Sequence, residues 1–145
     1  MLLSKQVAVE LNLTHCRLKL FMAAMMKANN IDLTPEQFLL IDMLWNQGDL
    51  KQQQLADGMQ KDKNSVTKLI DALEQKGLVM RQQNPTDRRS NTIVLTEKGH
   101  SLKLDAKTVG ISSLDKMLEG LSEHEIQSFI VVMRRISKNM SLDNK

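Results

Sequence analysis

Hydrophobic residues recur at helical spacing along most of this 145-residue chain. In the first segment, about Ser4 to Ala28, one apolar stripe alternates steps of four and three residues, as in the seam between packed helices. Its members are Val7, Leu11, Thr14, Leu18, Phe21, Met25 and Ala28. A second stripe, nearly half a turn away, consists of Val9, Leu13, Cys16, Leu20 and Ala23. Because a helix that is apolar on two sides must be covered on both, the pattern favours a subunit interface over a helix internal to one chain.

Capping boxes mark the starts of two further helices. In LTPEQF, Thr34 is the predicted N-cap and Gln37 stands three residues after it. Ser122 and Glu125 have the same spacing in LSEHEI. The helices predicted from these signals cover about residues 35–46 and 123–140.

The C-terminal part of the chain also has wide apolar faces. A long helix is predicted over about residues 96–120, with Leu102, Val109 and Met117 among its apolar positions. The stripe on the last helix is made of Ile126, Phe129, Ile130, Met133, Ile136 and Met140. Long terminal helices with such faces favour a homodimer.

The middle third follows the order helix, turn, helix, hairpin. LKQQQLADGM predicts a short helix, and KDKNSVTKLIDALEQKGLV predicts a second one with Asp62 as N-cap and Gly77 just beyond its end. The inward face of the second helix consists of Val66, Leu69, Ile70 and Leu73. LVMRQQ and NTIVLT are β-rich runs joined by a turn that contains Pro85, so they predict an antiparallel hairpin.

The predicted fold class is therefore mainly α with a small β-hairpin wing. We expect one domain over residues 1–145, with a winged helix-turn-helix over 33–99. The flanking segments, 1–32 and 100–145, are the predicted helical dimerisation region.

Composition and charge narrow the class of protein. Eight basic and five acidic residues lie between positions 51 and 89, so the whole formal net charge of +3 belongs to this middle segment. The single cysteine excludes an intramolecular disulfide and fits a reducing compartment. Since no apolar run is long enough to span a membrane and the start lacks a secretory signal, we expect a cytoplasmic protein without a membrane partner.

Polar side chains on the outward face of the second helix of this unit are candidates to enter a DNA major groove. They are mostly short and offer donors and acceptors to base edges, and the helix N-terminus adds affinity for phosphate. The candidates are Lys63, Asn64, Ser65, Thr67 and Lys68. An ordinary solvated helix face would have the same composition, so the neighbouring hairpin decides between the two interpretations.

The hairpin turn contains two adjacent arginines, Arg88 and Arg89, preceded by Asp87. On a protruding wing, a guanidinium gains from the focused negative potential of the DNA minor groove. The Asp87 carboxylate can accept hydrogen bonds from a guanidinium or from backbone N–H groups and so stiffen the turn. A solvent-exposed Asp–Arg pair, worth about 0–1 kcal/mol, would give no reason for the double arginine.

These two segments resemble the MarR family of bacterial transcription regulators. The wing matches the family pattern at Asp87, Arg89, Leu95, Thr96 and Gly99. The preceding helix resembles the recognition helix of the family, with matches at Ser65, Thr67, Leu73, Gly77, Leu78 and Val79. The order of helices agrees over nearly the whole chain.

The resemblance implies a homodimer that binds a pseudo-palindromic double-stranded DNA operator. Two recognition helices would enter successive major grooves and two wings the flanking minor grooves. Arg89 matches the minor-groove arginine of the family, Asp87 matches its supporting aspartate, and Arg88 fills a variable position. Family members usually repress transcription and release DNA when a small phenolic or aromatic effector binds, so such an effector is implied here.

Alternative functions have weaker support in the sequence. A winged helix can serve protein–protein contact, which a lack of retention on heparin at low salt would favour. Some relatives sense oxidants through an N-terminal cysteine paired with tyrosines, but this chain has no tyrosine, and Cys16 lies on an apolar stripe where a buried thiol is ordinarily inert. Its three histidines are scattered, and it has no Gly-rich phosphate loop or catalytic constellation, so we expect no metal, no cofactor and no enzyme.

Overall fold

The computed structural model describes residues 2–87 and 90–142 of the chain. Helices dominate this part, and three short strands form one small sheet. The elements are α1 (Leu3–Ala28), α2 (Pro35–Gln47), β1 (Leu50–Lys51), α3 (Gln52–Met59), α4 (Lys63–Gln75), β2 (Val79–Gln83), β3 (Asn91–Leu95), α5 (Glu97–Met117) and α6 (Glu123–Asn139). The prediction of a mainly α fold with a β-hairpin is confirmed.

Both predicted capping boxes are present. The Thr34 hydroxyl accepts from the Gln37 N–H at 3.2 Å, and the Thr34 N–H donates to Gln37 Oε1 at 3.1 Å. At the start of α6, the Ser122 hydroxyl accepts from the Glu125 N–H at 3.1 Å, and the Ser122 N–H donates to Glu125 Oε1 at 3.0 Å. These local bonds satisfy N–H groups that a helix start leaves without partners, which explains why both helices begin where the sequence predicts.

The chain divides into two compact units, one up to Gly110 and one from Ile111. The core of the first unit lies among α2, α3, α4 and the sheet. Its fully buried side chains include Leu40, Ile41, Leu44, Leu55, Val66, Ile70, Leu73 and Ile93. The predicted inward face of α4 is thus confirmed, although Leu69 is only half-buried.

The sheet has the strand order β1-β3-β2 and is antiparallel throughout. The predicted hairpin is formed by β2 and β3, whose register runs from Val79 opposite Leu95 to Gln83 opposite Asn91. The third strand, β1, pairs Leu50 with Ile93 and is absent from the sequence-based prediction. A two-residue strand has no periodicity of its own, and only its partner makes it a strand.

The apolar stripes of α1 are largely uncovered within the chain. Met22 and Met26, near its C-terminal end, are buried in the core, but Leu13 is 50% exposed and Leu20 72% exposed. The alternative of a helix internal to one chain is therefore wrong. Cys16, expected to be buried on one of these stripes, is also exposed, because nothing in the described part of the chain packs over that face.

The second unit contains α6, whose predicted apolar stripe is present and partly exposed. On this stripe Phe129 is 56% and Met140 65% exposed, whereas Ile126 and Ile136 are half-buried. No helix of the described residues combines the length and hydrophobicity needed to cross a lipid bilayer.

Candidate nucleic-acid interface

The N-terminal turn of α4 is held by a side-chain cap and presents polar groups. Asp62 Oδ1 accepts from the Ser65 N–H at 2.7 Å. Hydrogen bonds from Ser65, its side chain first and then its backbone, hold the pKa of Asp62 below its ordinary value. Of the predicted recognition residues, Lys63, Asn64 and Lys68 are exposed, whereas Ser65 and Thr67 are half-buried.

The Thr67 side chain is engaged within the protein. Its hydroxyl donates to the Lys63 carbonyl at 2.8 Å, and Gln52 Nε2 donates to Thr67 Oγ1 at 2.5 Å. Gln52 is the first residue of α3, so this bond joins the two helices of the helix-turn-helix. The sequence does not predict this hydrogen bond, because α3 begins with three adjacent glutamines. Only the packing of α3 on α4 determines which of the three contacts Thr67.

The turn between β2 and β3 is organised by Asn84. Asn84 Oδ1 accepts from the Thr86 N–H at 3.0 Å and from the Thr86 hydroxyl at 2.8 Å, as in an Asx turn. The Asn84 N–H donates to the Ser90 carbonyl at 3.2 Å, and the Asp87 N–H donates to the Asn84 carbonyl at the same distance. The predicted wing residue Asp87 is exposed at this turn, whereas Arg88 and Arg89 lie outside the described residues.

An arginine that the sequence analysis did not single out fixes the hairpin to α4. Arg81, in β2, places Nη2 2.6 Å from Asp71 Oδ1 and Nη1 2.6 Å from Glu74 Oε1. Its backbone N–H also donates to Glu74 Oε2 at 3.2 Å. Its side chain is only 21% exposed, so these ion pairs are partly shielded from solvent. The hairpin and α4 are therefore linked by charge as well as by core packing.

Contacts at the base of the hairpin explain the Thr and Gly positions of the wing pattern. The Thr96 hydroxyl donates to the Gly77 carbonyl at 2.6 Å and accepts from the Gly99 N–H at 3.0 Å. A Cβ atom on Gly99 would lie 2.2 Å from the Leu78 carbonyl oxygen. The Gly99 carbonyl in turn accepts from the buried Trp45 Nε1 at 3.0 Å. This junction fixes where the hairpin leaves the core and where α5 begins.

The starts of α3, α4 and β3 border one cleft of about 370 Å³. Two predicted site residues, Lys63 of the recognition helix and Asp87 of the wing, both line it. Lys51 and Gln52 contribute from the start of α3, and Ser90 and Asn91 from the wing. The structure thus brings the recognition helix and the wing, predicted separately, to one polar surface.

Lysines give this surface its positive character. Lys51 and Lys63 are exposed and line it, and Lys68 is exposed further along α4. The Nζ atom of Lys61, by contrast, lies 3.4 Å from Glu36 Oε2, and Nζ of Lys19 in α1 lies 3.2 Å from Glu36 Oε1. Lys61 is therefore partly neutralised, whereas Lys51, Lys63 and Lys68 keep exposed side chains on the helix-turn-helix.

The described residues hold no cluster of three or more His, Cys, Asp or Glu side chains of the kind that binds a metal ion.

Residues 33–91 match the family model described as MarR family. The HTH-type transcriptional regulator MhqR of Bacillus subtilis (strain 168) is 35% identical over 107 residues, which is 74% of each chain.

Solved structures agree in fold. A mutant of E. coli MarR in complex with operator DNA has a TM-score of 0.83 and 18% identity, over 90% of this chain and 93% of that one. Bordetella bronchiseptica BpsR, whose DNA binding is regulated by 6-hydroxynicotinic acid, has a TM-score of 0.78 and 22% identity, over 91% of this chain and 98% of that one. At these identities the structural likeness concerns the fold alone.

Proposed function

Since the chain belongs to the MarR family of DNA-binding transcription regulators, we propose that it forms a homodimer that binds a pseudo-palindromic operator and represses transcription in the cytoplasm. The observation that carries the proposal is the cleft at which the start of α4 and the wing meet. Ser65, Thr67 and Asn64 would contact base edges in the major groove, while Lys63 and Lys68 would contact phosphate.

The wing would occupy the neighbouring minor groove. Asn84 organises the described part of the turn, which Arg88 and Arg89 follow in the sequence, and Arg81 fixes the hairpin to α4. A guanidinium held on such a hairpin can enter the minor groove while the helix lies in the major groove. In this arrangement Arg89 is the inserted side chain and Asp87 supports it.

The exposed apolar side chains of α1 and α6 support the homodimer. Leu13 and Leu20 on α1, and Phe129 and Val132 on α6, are each at least half exposed. Apolar helix faces of this kind are typical of an interface between obligate subunits. Sedimentation equilibrium should give twice the mass of one chain, and a monomer that still binds a full operator would refute the proposed assembly.

The test of DNA binding compares two variants that each lose one positive charge. Duplexes selected from a random-sequence library serve as the ligand, and fluorescence anisotropy measures affinity. Arg89→Ala should weaken binding by about tenfold or more, with circular dichroism and dimerisation unchanged. Lys103→Ala removes an exposed charge from α5, outside the recognition helix and wing, and should have little effect. Equal affinities for the two variants would refute the assigned role of Arg89.

Release by a small aromatic or phenolic effector is part of the proposal. A cavity of about 340 Å³ lies among the α1–α2 connection, the end of α4 and the start of α5. Its lining includes Asp32, Lys76, Leu78, Lys98, Leu102 and Asp105, a mixture of charged and apolar groups suited to a small polar aromatic molecule. Because the cavity lies between the end of the recognition helix and the start of α5, a ligand bound there would change the position of these two helices relative to each other.

The effector hypothesis is tested with hydroxylated aromatic acids, beginning with 6-hydroxynicotinic acid, added to the protein–DNA complex. At least one should lower DNA affinity. Leu102→Trp, which fills the cavity, should abolish that release and leave DNA affinity intact. Release that is unchanged in Leu102→Trp would place the effector elsewhere.

A further inference from the structure

The hydroxyl of Thr67 has little left to offer a partner outside the protein. A hydroxyl has one proton and two acceptor lone pairs. The proton is used on the Lys63 carbonyl, and one lone pair accepts from Gln52 Nε2. Thr67 therefore cannot donate to a base in this state. What remains is one lone pair and the γ-methyl group.

A methyl group in the major groove can distinguish one base from the other three. In the DNA major groove, thymine alone among the four bases presents a C5-methyl group, and apolar contact with that methyl is one of the standard base contacts of threonine. We propose that Gln52 is a specificity-determining positioning residue, which holds the Thr67 hydroxyl inward so that Thr67 selects thymine through its methyl group. The inference rests on the proposed function, since it requires α4 to lie in the major groove.

Gln52 is needed to fix the side-chain conformation of Thr67, because a threonine in a helix otherwise populates two χ1 rotamers. Its hydroxyl can reach backbone carbonyls from more than one χ1 angle. The hydrogen bond from Gln52 favours one of them, and the backbone that carries Gln52 is held at the capped start of α3. The Lys51 N–H donates to Gln54 Oε1 at 2.8 Å at the start of α3, and Leu55 and Val66 are fully buried between α3 and α4. The two helices thus hold the Gln52–Thr67 pair in a constant geometry.

Selection from a random-sequence duplex library tests the inference with three variants. Thr67→Val keeps a methyl group and removes the hydroxyl, so it should retain the wild-type base preference. Thr67→Ser keeps the hydroxyl and removes the methyl, so it should lose the preference for thymine at one position of each half-site, by about fivefold or more. Gln52→Ala should relax the preference at that same position while other positions keep theirs.

Two controls show whether a change in base preference comes from a lost contact with the base or from a change in the protein structure. Gln75→Ala removes an exposed glutamine at the C-terminal end of α4, outside the cleft, and should leave every preference unchanged. Replacing the selected thymine by deoxyuracil removes only the C5-methyl group. That change should weaken wild-type and Thr67→Val binding equally and leave Thr67→Ser unaffected. Unfolding by urea checks that every variant is folded.

The outcomes distinguish this inference from the proposed function. If the wild-type protein enriches no sequence, the operator-binding proposal fails. If the wild type enriches a sequence but Thr67→Val loses the preference as Thr67→Ser does, then the hydroxyl contacts the base and the inference is overturned. A Gln52→Ala variant that keeps the wild-type preference, or changes a different position, would also overturn it.

Discussion

Arg81 of β2 and Asp71 of α4 form an ion pair in which Nη2 and Oδ1 are 2.6 Å apart. Glu74, one helical turn further along α4, accepts from the other terminal nitrogen of the same guanidinium. One arginine thus bonds two carboxylates on the recognition helix from the first half of the wing. We therefore expect Arg81 to hold the hairpin at a fixed angle to α4 without touching DNA itself.

Arg81→Ala should therefore weaken DNA binding several-fold and lower the free energy of unfolding by about 1 kcal/mol, a modest value because Asp71 is largely exposed. Arg81→Lys should recover little, since an ammonium group cannot bond both carboxylates in the fixed geometry of a guanidinium. Anisotropy titration and urea unfolding at constant protein concentration measure the two effects. Gln82→Ala, at the next and exposed strand position, is the matched control. Wild-type DNA affinity in Arg81→Ala would contradict the positioning role.

Gly99→Ala should destabilise the fold strongly. The new Cβ atom would lie 2.2 Å from the Leu78 carbonyl oxygen and 3.2 Å from Leu95 Cδ2. Backbone at the base of the hairpin would have to shift, and with it the Trp45 hydrogen bond to Gly99. We expect a loss of about 2 kcal/mol or more in urea unfolding.

Gly58→Ala is the control for that measurement. A Cβ atom on Gly58 would lie close to Met43 Cε, the mobile end of a flexible side chain. Met43 can turn aside, and alanine favours the helix over glycine by about 1 kcal/mol. Gly58→Ala should therefore be close to neutral. A loss as large as that of Gly99→Ala would mean that the packing of Met43 is as rigid as the backbone at Gly99.

The parts of the fold that the sequence predicted are those fixed by neighbouring residues. Thr34 and Ser122 each bond to a residue three positions away, so their helix starts can be found without tertiary information. The parts that it missed depend on distant partners. Leu50 becomes a strand residue only because Ile93 lies opposite, and Gln52 is distinguished from its two neighbours only by contact with Thr67.

In the candidate site, too, the sequence predicted the features set by local pattern and missed those that depend on distant contacts. Periodicity sufficed to separate the buried face of α4 from the polar face that carries Asn64 and Lys68. It could not show that Thr67, on the polar face, is engaged with α3, or that Arg81 bonds two carboxylates of α4. The roles of Arg88 and Arg89 stay predictions.

Glu36 should make stability depend on pH in the acid range. The hydrogen bond from Lys19 is the main cause that holds the pKa of Glu36 below its ordinary value of 4.5, and the charge of Lys61 adds to it. Because the pKa is lowered on folding, the stabilisation is fully present above pH 4.5 and is lost as the pH falls through the lowered pKa. Glu36→Gln should be less stable than the wild type by about 0.5 kcal/mol at pH 7, since the group is partly exposed.

Urea unfolding at about pH 7 and about pH 3, on either side of the ordinary glutamate pKa, tests this dependence. The difference between the wild type and Glu36→Gln should shrink at the lower pH, where the wild-type carboxyl is increasingly protonated. A difference that stays constant would show that the Glu36→Gln variant loses stability through packing and not through charge.

Asp62 places a negative charge at the start of the recognition helix, beside lysines that should face phosphate. As N-cap it accepts from the Ser65 N–H, and like any aspartate it is ionised at neutral pH. Asparagine caps a helix as well as aspartate does but has no charge. Asp62→Asn should therefore keep the helix intact and strengthen binding to nonspecific duplex DNA at low salt, by about twofold to fivefold.

Asp62→Ala removes the same charge together with the cap. The first turn of α4 should then fray, so that Lys63 and Ser65 lose their fixed positions and sequence preference falls even though the charge is more favourable. Circular dichroism, anisotropy at two salt concentrations and library selection for the two variants distinguish the contributions. If Asp62→Asn binds DNA no better than the wild type, the start of α4 lies too far from phosphate for its charge to matter, and the major-groove placement of this helix would be wrong.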